Sequence, residues 1–211
     1  MSTSLLYFFT ALIVFLFIYW RRLNQDYEQN QIFSSGLIII ISLLLGASTA
    51  NFIIIPSTTG IPANPSGIVF WSGVSGLVFG FLISIQRFKL KLFEAFESVS
   101  IASLYLLLII FLADALKNSS WSSLVASAIF VALISIFYFL ESRYKKFTWY
   151  RSGKIGFSGL TSLGIMFLLR GILAIPFPFV LSFLGKVEGL VSSVTAFVLF
   201  LALFNLARQK V

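Results

Sequence analysis

The chain has 211 residues, 59% of them hydrophobic and only 10% charged, with 25 Phe, a formal net charge of +8, and neither His nor Cys. A soluble domain carries about 25% charged residues, so this composition excludes a water-soluble globular fold. The lack of Cys excludes a disulfide framework or thiolate metal site, and the lack of His removes the commonest general base and metal ligand.

A helix needs roughly 17 to 25 residues to cross the hydrocarbon layer. Seven apolar segments answer to that length: Leu5 to Trp20, Ser34 to Ile55, Gly67 to Ile85, Glu97 to Ala113, Ser120 to Leu140, Ile155 to Ala174 and Glu188 to Ala207. Lipid leaves each backbone group to be satisfied within its own segment, so all seven are predicted to be helices. The fold class is therefore all-α, a polytopic integral membrane protein of seven transmembrane helices forming one domain over residues 1–211. The first segment has no Lys or Arg in Met1 to Ser4 and carries its positive charge behind it, which reads as a retained helix and not a cleaved signal. Between the second and third segments, Pro56, Pro62 and Pro65 rule out a continuing helix. Ile175 to Leu184 is apolar but short, and its Pro176-Phe-Pro178 start suggests an interfacial or re-entrant piece.

Twelve of the fifteen Lys and Arg residues occupy alternate gaps between the segments. The clusters are Arg21 and Arg22; Arg87, Lys89 and Lys91; Arg143, Lys145, Lys146, Arg151 and Lys154; and Arg208 with Lys210. The positive-inside rule makes these gaps cytoplasmic, with the N-terminus outside, the C-terminus inside and the chain in the cytoplasmic (inner) cell membrane. Basic residues confined to such loops orient helices and meet anionic lipid, so no nucleic-acid partner is expected. Trp20, Tyr7, Trp71, Trp121, Trp149 and Tyr150 fall near segment ends, where aromatic rings prefer the interface.

Small residues at small-xxx-small spacing allow close backbone approach. Gly73, Gly76 and Gly80 with Ser72 and Ser84 mark the third segment, Gly153, Gly156, Gly159 and Gly164 the sixth, and Gly36 and Gly46 the second. These three helices are expected to form the interior.

Arg170 is the one basic residue inside an apolar run, where a charge costs roughly 2.5 to 3.5 kcal/mol and calls for a partner, a cavity or a route to the interface. It lies about 22 Å along its helix from Ile155, at 1.5 Å per residue. That depth is shared by Asn51, Trp71, Asp114, Lys117 and Glu188, and these groups are expected to line one outward-facing polar cavity. Arg170, Asn51 and Trp71 are its candidate lipid-headgroup residues, because a planar guanidinium holds a phosphate in its fork of donors. The simpler reading is that Arg170 snorkels to the interface, or pairs with Asp114 or Glu188, for structure alone. Glu94 and Glu97 share a helix face, but carboxylates at a helix N-terminus beside basic residues usually match the dipole and local charge. No metal site or cofactor is expected.

The third segment opens Gly67-Ile-Val-Phe70-Trp71-Ser72-Gly73-Val-Ser-Gly76. With seven crossings, N-out and C-in, the chain resembles bacterial prolipoprotein diacylglyceryl transferase. That family's third helix typically opens Gly-Leu-Ser-Phe-His-Gly-Gly-x-x-Gly, which Gly67, Phe70, Gly73 and Gly76 fit. The likeness extends to Arg21-Arg22 after the first helix, Leu45-Gly46-Ala47 in the second, the basic loop after the third and the glycine-bearing sixth, and so covers nearly the whole chain. Departures concentrate in the family's polar motifs. Trp71 stands at its His, and Ser48 where it usually has Arg. Leu108 to Leu116 lacks its Gly-Arg-x-Gly-Asn-Phe, and Ser120 to Ala126 retains only Leu124 of His-Pro-x-x-Leu-Tyr-Glu.

The resemblance implies diacylglyceryl transfer from phosphatidylglycerol to the lipobox cysteine of secreted preproteins, in lipoprotein biosynthesis. It would make a membrane phospholipid and those preproteins the partners. Arg170 would hold the lipid phosphate, and Asp114 or Glu188 would be the candidate catalytic acceptor of the thiol proton. A relative that binds lipid without transferring it fits the lost motifs equally well. From the residues alone, a small polytopic transporter or a structural membrane subunit remains the alternative.

Overall fold

A helix apolar on every side carries no end of its own, and the residues that flank it set its limits. The computed structural model, which describes residues 2–54, 65–147, 150, 155–173 and 186–208, follows that rule. Its described residues form seven α-helices: α1 (Ser2–Leu23), α2 (Gln29–Thr49), α3 (Pro65–Phe88), α4 (Leu92–Asn118), α5 (Trp121–Arg143), α6 (Phe157–Leu173) and α7 (Lys186–Arg208). A π-helical turn, Ala50–Ile54, prolongs α2, and a 3-10 turn, Tyr144–Lys146, follows α5.

Most helices outrun the apolar segments that announce them, since charged flanks continue a helix readily. Pro65 occupies the first position of α3, where its missing N–H costs nothing. Lys89 (φ 54°) and Ser119 (φ 49°) adopt the left-handed conformation that stops α3 and α4, and Ser120 caps α5 by accepting from the Ser123 backbone N–H. Gly156, at φ 114°, delays α6 beyond the expected Ile155 and so belongs to the turn before that helix, not to its glycine stripe. The rest of the Pro56 to Ser66 loop apart from Pro65 and Ser66, the Ile175 to Leu184 piece, Gly153 and Trp149 lie outside the described residues.

Six of the helices are long and apolar enough to cross a membrane, and α6, at 17 residues, is shorter. Outward faces are apolar: Leu6, Phe9, Ile13 and Phe17 run down α1, Phe33, Leu37, Ile41 and Leu45 down α2, and Leu190, Val194, Phe197, Leu201 and Phe204 down α7. Such a surface is compatible with a multi-pass membrane protein and wrong for water.

The helices run alternately up and down. One end of the bundle collects the basic clusters: Arg22 of α1 pairs with Glu141 of α5, and Tyr27 of the α1–α2 loop donates to Glu94 of α4 (3.0 Å) and accepts from the Lys91 backbone N–H (2.9 Å). Burial raises the Tyr27 pKa above its ordinary value, keeping that hydroxyl a donor. Below it, Tyr144, Tyr150, Phe157, Leu203 and Leu206 join α5, α6 and α7 in an aromatic cluster.

The expected interior is only partly right. The short α6 is central, packed by α4, α5 and α7, but α2 and α3 form a closely joined hairpin at the side. Their small residues serve that hairpin. A Cβ added at Gly46 would overlap the Ser72 carbonyl, one at Gly76 the Ser42 carbonyl, and one at Gly80 the Ser42 side chain, so the two backbones touch as small-xxx-small packing requires. Gly73 is different, its nearest neighbour being the Ala47 methyl at 4.0 Å. Gly76→Leu is expected to force the hairpin apart and cost about 1–3 kcal/mol or more, read as a fall in the thermal unfolding midpoint in detergent, whereas Gly73→Ala leaves that midpoint unchanged.

Candidate functional site

At the end of the bundle away from the basic clusters, the N-terminal turns of α3 and α7 meet the last turns of α6. Arg170 lies about 20 Å along α6, counted from Phe157 at 1.5 Å per residue. It is 4% exposed, and its Nη2 donates to the Glu188 carboxylate at 3.4 Å, Glu188 itself being 9% exposed. The guanidinium carbon lies 3.7 Å from the Phe70 ring centroid and 5.4 Å from that of Trp71. Trp71 in turn stacks on Phe167 of α6, at 5.7 Å and 19°. The cation is therefore held by one carboxylate and two π faces, which compensate for its removal from water.

Glu188 also reaches α3. A Cβ at Gly67 would coincide with the Glu188 carboxylate, so only glycine permits this approach. The carboxylate thus lies against the first turn of α3 and within the first turn of its own helix, where amide dipoles favour negative charge. A close approach at Gly171 brings α6 against the Gly189 carbonyl and Ser193.

One helical turn further in lie two buried donors. Trp71 follows Gly67 on α3 and Ser192 follows Glu188 on α7, each by four residues, and both helices start at this end. The two side chains are therefore level. The Trp71 indole N–H and the fully buried Ser192 hydroxyl meet no acceptor among the described residues. Buried donors without acceptors call for an explanation, and Trp20, Ser103, Ser158 and Ser162 hold others elsewhere in the bundle. On the other side of Arg170 a small crevice of about 20 Å³ is lined by Phe70, Leu107, Phe111, Ile129, Phe130, Leu133, Met166 and Leu169. That is room for about one water-sized group.

Of the residues expected at one cavity, the structure brings together Arg170, Trp71 and Glu188. Asn51 is exposed on the π-helical turn and gives its amide back to the Ala47 carbonyl at 3.1 Å. Asp114 sits in the corner between α4 and α5, accepting from the Ser123 hydroxyl and from Asn118 Nδ2 at 2.7 Å. Sequence reasoning missed Phe70, Gly67 and Ser192. The i, i+4 spacing of Glu188 and Ser192 was the available signal for the last.

The other buried carboxylate, Glu97, also departs from expectation. Its neighbour Glu94 does match local charge, pairing with Lys91 at 2.9 Å. Glu97 instead is buried and accepts from the Gly156 backbone N–H, with Ser158 and Arg22 facing it, so α4 caps the start of α6.

No family model, curated protein or solved structure matches the chain. No group of three or more potential metal-ligating side chains occurs among the described residues.

Removing one partner of a buried ion pair typically costs about 3–5 kcal/mol, whereas replacing both by apolar groups is often neutral. Arg170→Leu alone is expected to lower the unfolding midpoint sharply, and Arg170→Leu with Glu188→Leu to recover most of the loss.

Proposed function

We propose that the chain is a multi-pass protein of the cytoplasmic membrane that binds a phospholipid at its outer-leaflet end. The N-terminus is outside and the C-terminus inside. The gathering of the basic clusters at one end of the bundle supports this orientation, by the positive-inside rule. The observation that carries the lipid reading is the niche of the Arg170 guanidinium and the adjacent Trp71 indole, whose N–H meets no acceptor among the described residues. Its donors suit the phosphate and ester oxygens of a lipid.

Phosphatidylglycerol is the lipid that the resemblance to prolipoprotein diacylglyceryl transferase points to. Its polar motifs are replaced here, Asp114 is engaged in the α4–α5 corner, and Glu188 is engaged by Arg170. These features favour binding of the lipid over transfer of its diacylglyceryl group to a preprotein cysteine. A second reading, a structural subunit in which the Arg170–Glu188 pair only joins α6 to α7, is favoured by the burial of that pair.

One experiment separates these readings. Protein reconstituted with labelled phosphatidylglycerol and a lipobox peptide is expected to retain the lipid through purification and yield no diacylglyceryl thioether by mass spectrometry. The folded Arg170→Leu/Glu188→Leu protein retains one phosphatidylglycerol fewer per chain if the niche binds it. Equal retention by both proteins would leave the structural reading, and thioether product would establish a transferase.

Orientation is tested separately, since a chain without Cys accepts single labels cleanly. In intact cells a membrane-impermeant maleimide is expected to label Ser119→Cys and spare Gln25→Cys, and the opposite pattern would reverse the assignment.

A further inference from the structure

The basic end contains a cation cluster that the outer site does not use. Arg143, Lys145 and Lys146 lie within four residues at the end of α5, all exposed. The Arg143 guanidinium carbon lies over Phe139, one turn earlier, at 4.7 Å from the ring centroid. Phe139 is itself 52% exposed on the outward apolar face of α5. Lys145 lies 5.9 Å from the Tyr144 ring. Tyr144 is buried, stacked on Phe157 at 6.2 Å and met edge-on by Tyr150 at 5.8 Å, so the 3-10 turn is pinned and its two lysines are held at the rim. The nearest carboxylate on α5, Glu141, is taken by Arg22 of α1, and Glu94 and Glu97 are engaged by Lys91 and the Gly156 N–H. The three cations are thus left at the edge of an apolar, aromatic surface without a carboxylate from their own helix.

We propose that this edge is a second lipid site, one that seats the head group of an anionic phospholipid. The phosphate lies between the Arg143 guanidinium, which binds oxygens through a planar fork, and the ammonium groups of Lys145 and Lys146. The first acyl carbons lie on Phe139. A zwitterionic lipid brings its own ammonium to the same place and is disfavoured, so the site selects net negative charge. Two further cations, Arg151 and Lys154, follow in sequence. The inference rests on the membrane reading above but not on the Arg170 niche.

The test uses the full chain in vesicles of phosphatidylcholine containing a small fraction of phosphatidylglycerol, with co-purified lipid counted by native mass spectrometry. Arg143→Gln/Lys145→Gln/Lys146→Gln is expected to weaken phosphatidylglycerol retention by about ten-fold or more, while Arg21→Gln/Arg87→Gln/Lys89→Gln, at the same end, retains it. To isolate this site, both sets are made in the Arg170→Leu/Glu188→Leu background. Equal loss in the two sets would mean a diffuse surface charge and overturn the site, as would no loss in either. A protein that floats with vesicles but is stripped by alkaline carbonate would fail the membrane reading itself, an outcome distinct from inserted protein without lipid preference.

Discussion

The short buried helix α6 depends on two carboxylates that it does not itself supply. Glu97 of α4 takes the Gly156 N–H at its start, and Glu188 of α7 takes Arg170 near its end. Among apolar surroundings a helix can satisfy its interior backbone groups, but its first N–H groups and any charged side chain need partners from elsewhere. Each acid answers one of those needs from a neighbouring helix. Between these two points glycines admit the neighbours, Gly159 the Glu97 backbone and Ser100 hydroxyl of α4 and Gly164 the Phe200 ring of α7, so close packing fills the length between the two polar bonds.

The same carboxylate, Glu188, also touches the α2–α3 hairpin, which packs chiefly on α1. The hairpin is held together by backbone contact at Gly46 and Gly76, and has few contacts of its own with α4. Its first turn at Gly67 lies against Glu188, and Phe70 and Trp71 reach over to Arg170 and Phe167. Thus the end away from the basic clusters is a second contact between hairpin and bundle, and the place where the cation, its carboxylate and the unmet Trp71 donor come together. Because the two buried charges there are partners of each other, single and paired substitutions at Arg170 and Glu188 are expected to behave differently.

Much of the candidate site could be read from the chain because an intramembrane charge is costly wherever it occurs. Arg170 stands out in an otherwise apolar run, and its depth along the helix selected Glu188 and Trp71 correctly as neighbours. Depth says nothing about rotation, however. Asn51 and Asp114 share that level in sequence terms, yet one turns to its own helix and the other to the α4–α5 corner. Glu97 was misjudged for the same reason. Its position beside basic residues resembles that of Glu94, but three residues further along the helix brings it under α6.

By itself the sequence determined the number and rough extent of the apolar helices, their alternating direction and the end at which positive charge collects. These are one-dimensional properties: run length against the reach of a helix, and charge counted gap by gap. Which helix is central, which pair touches backbone to backbone and which acid meets which donor were decided only in three dimensions. Helices such as α4, α5 and α7 are apolar all round, so no polar face marks how each is turned, and rotation is settled by glycine contacts and a few buried polar bonds whose two halves lie far apart in the chain.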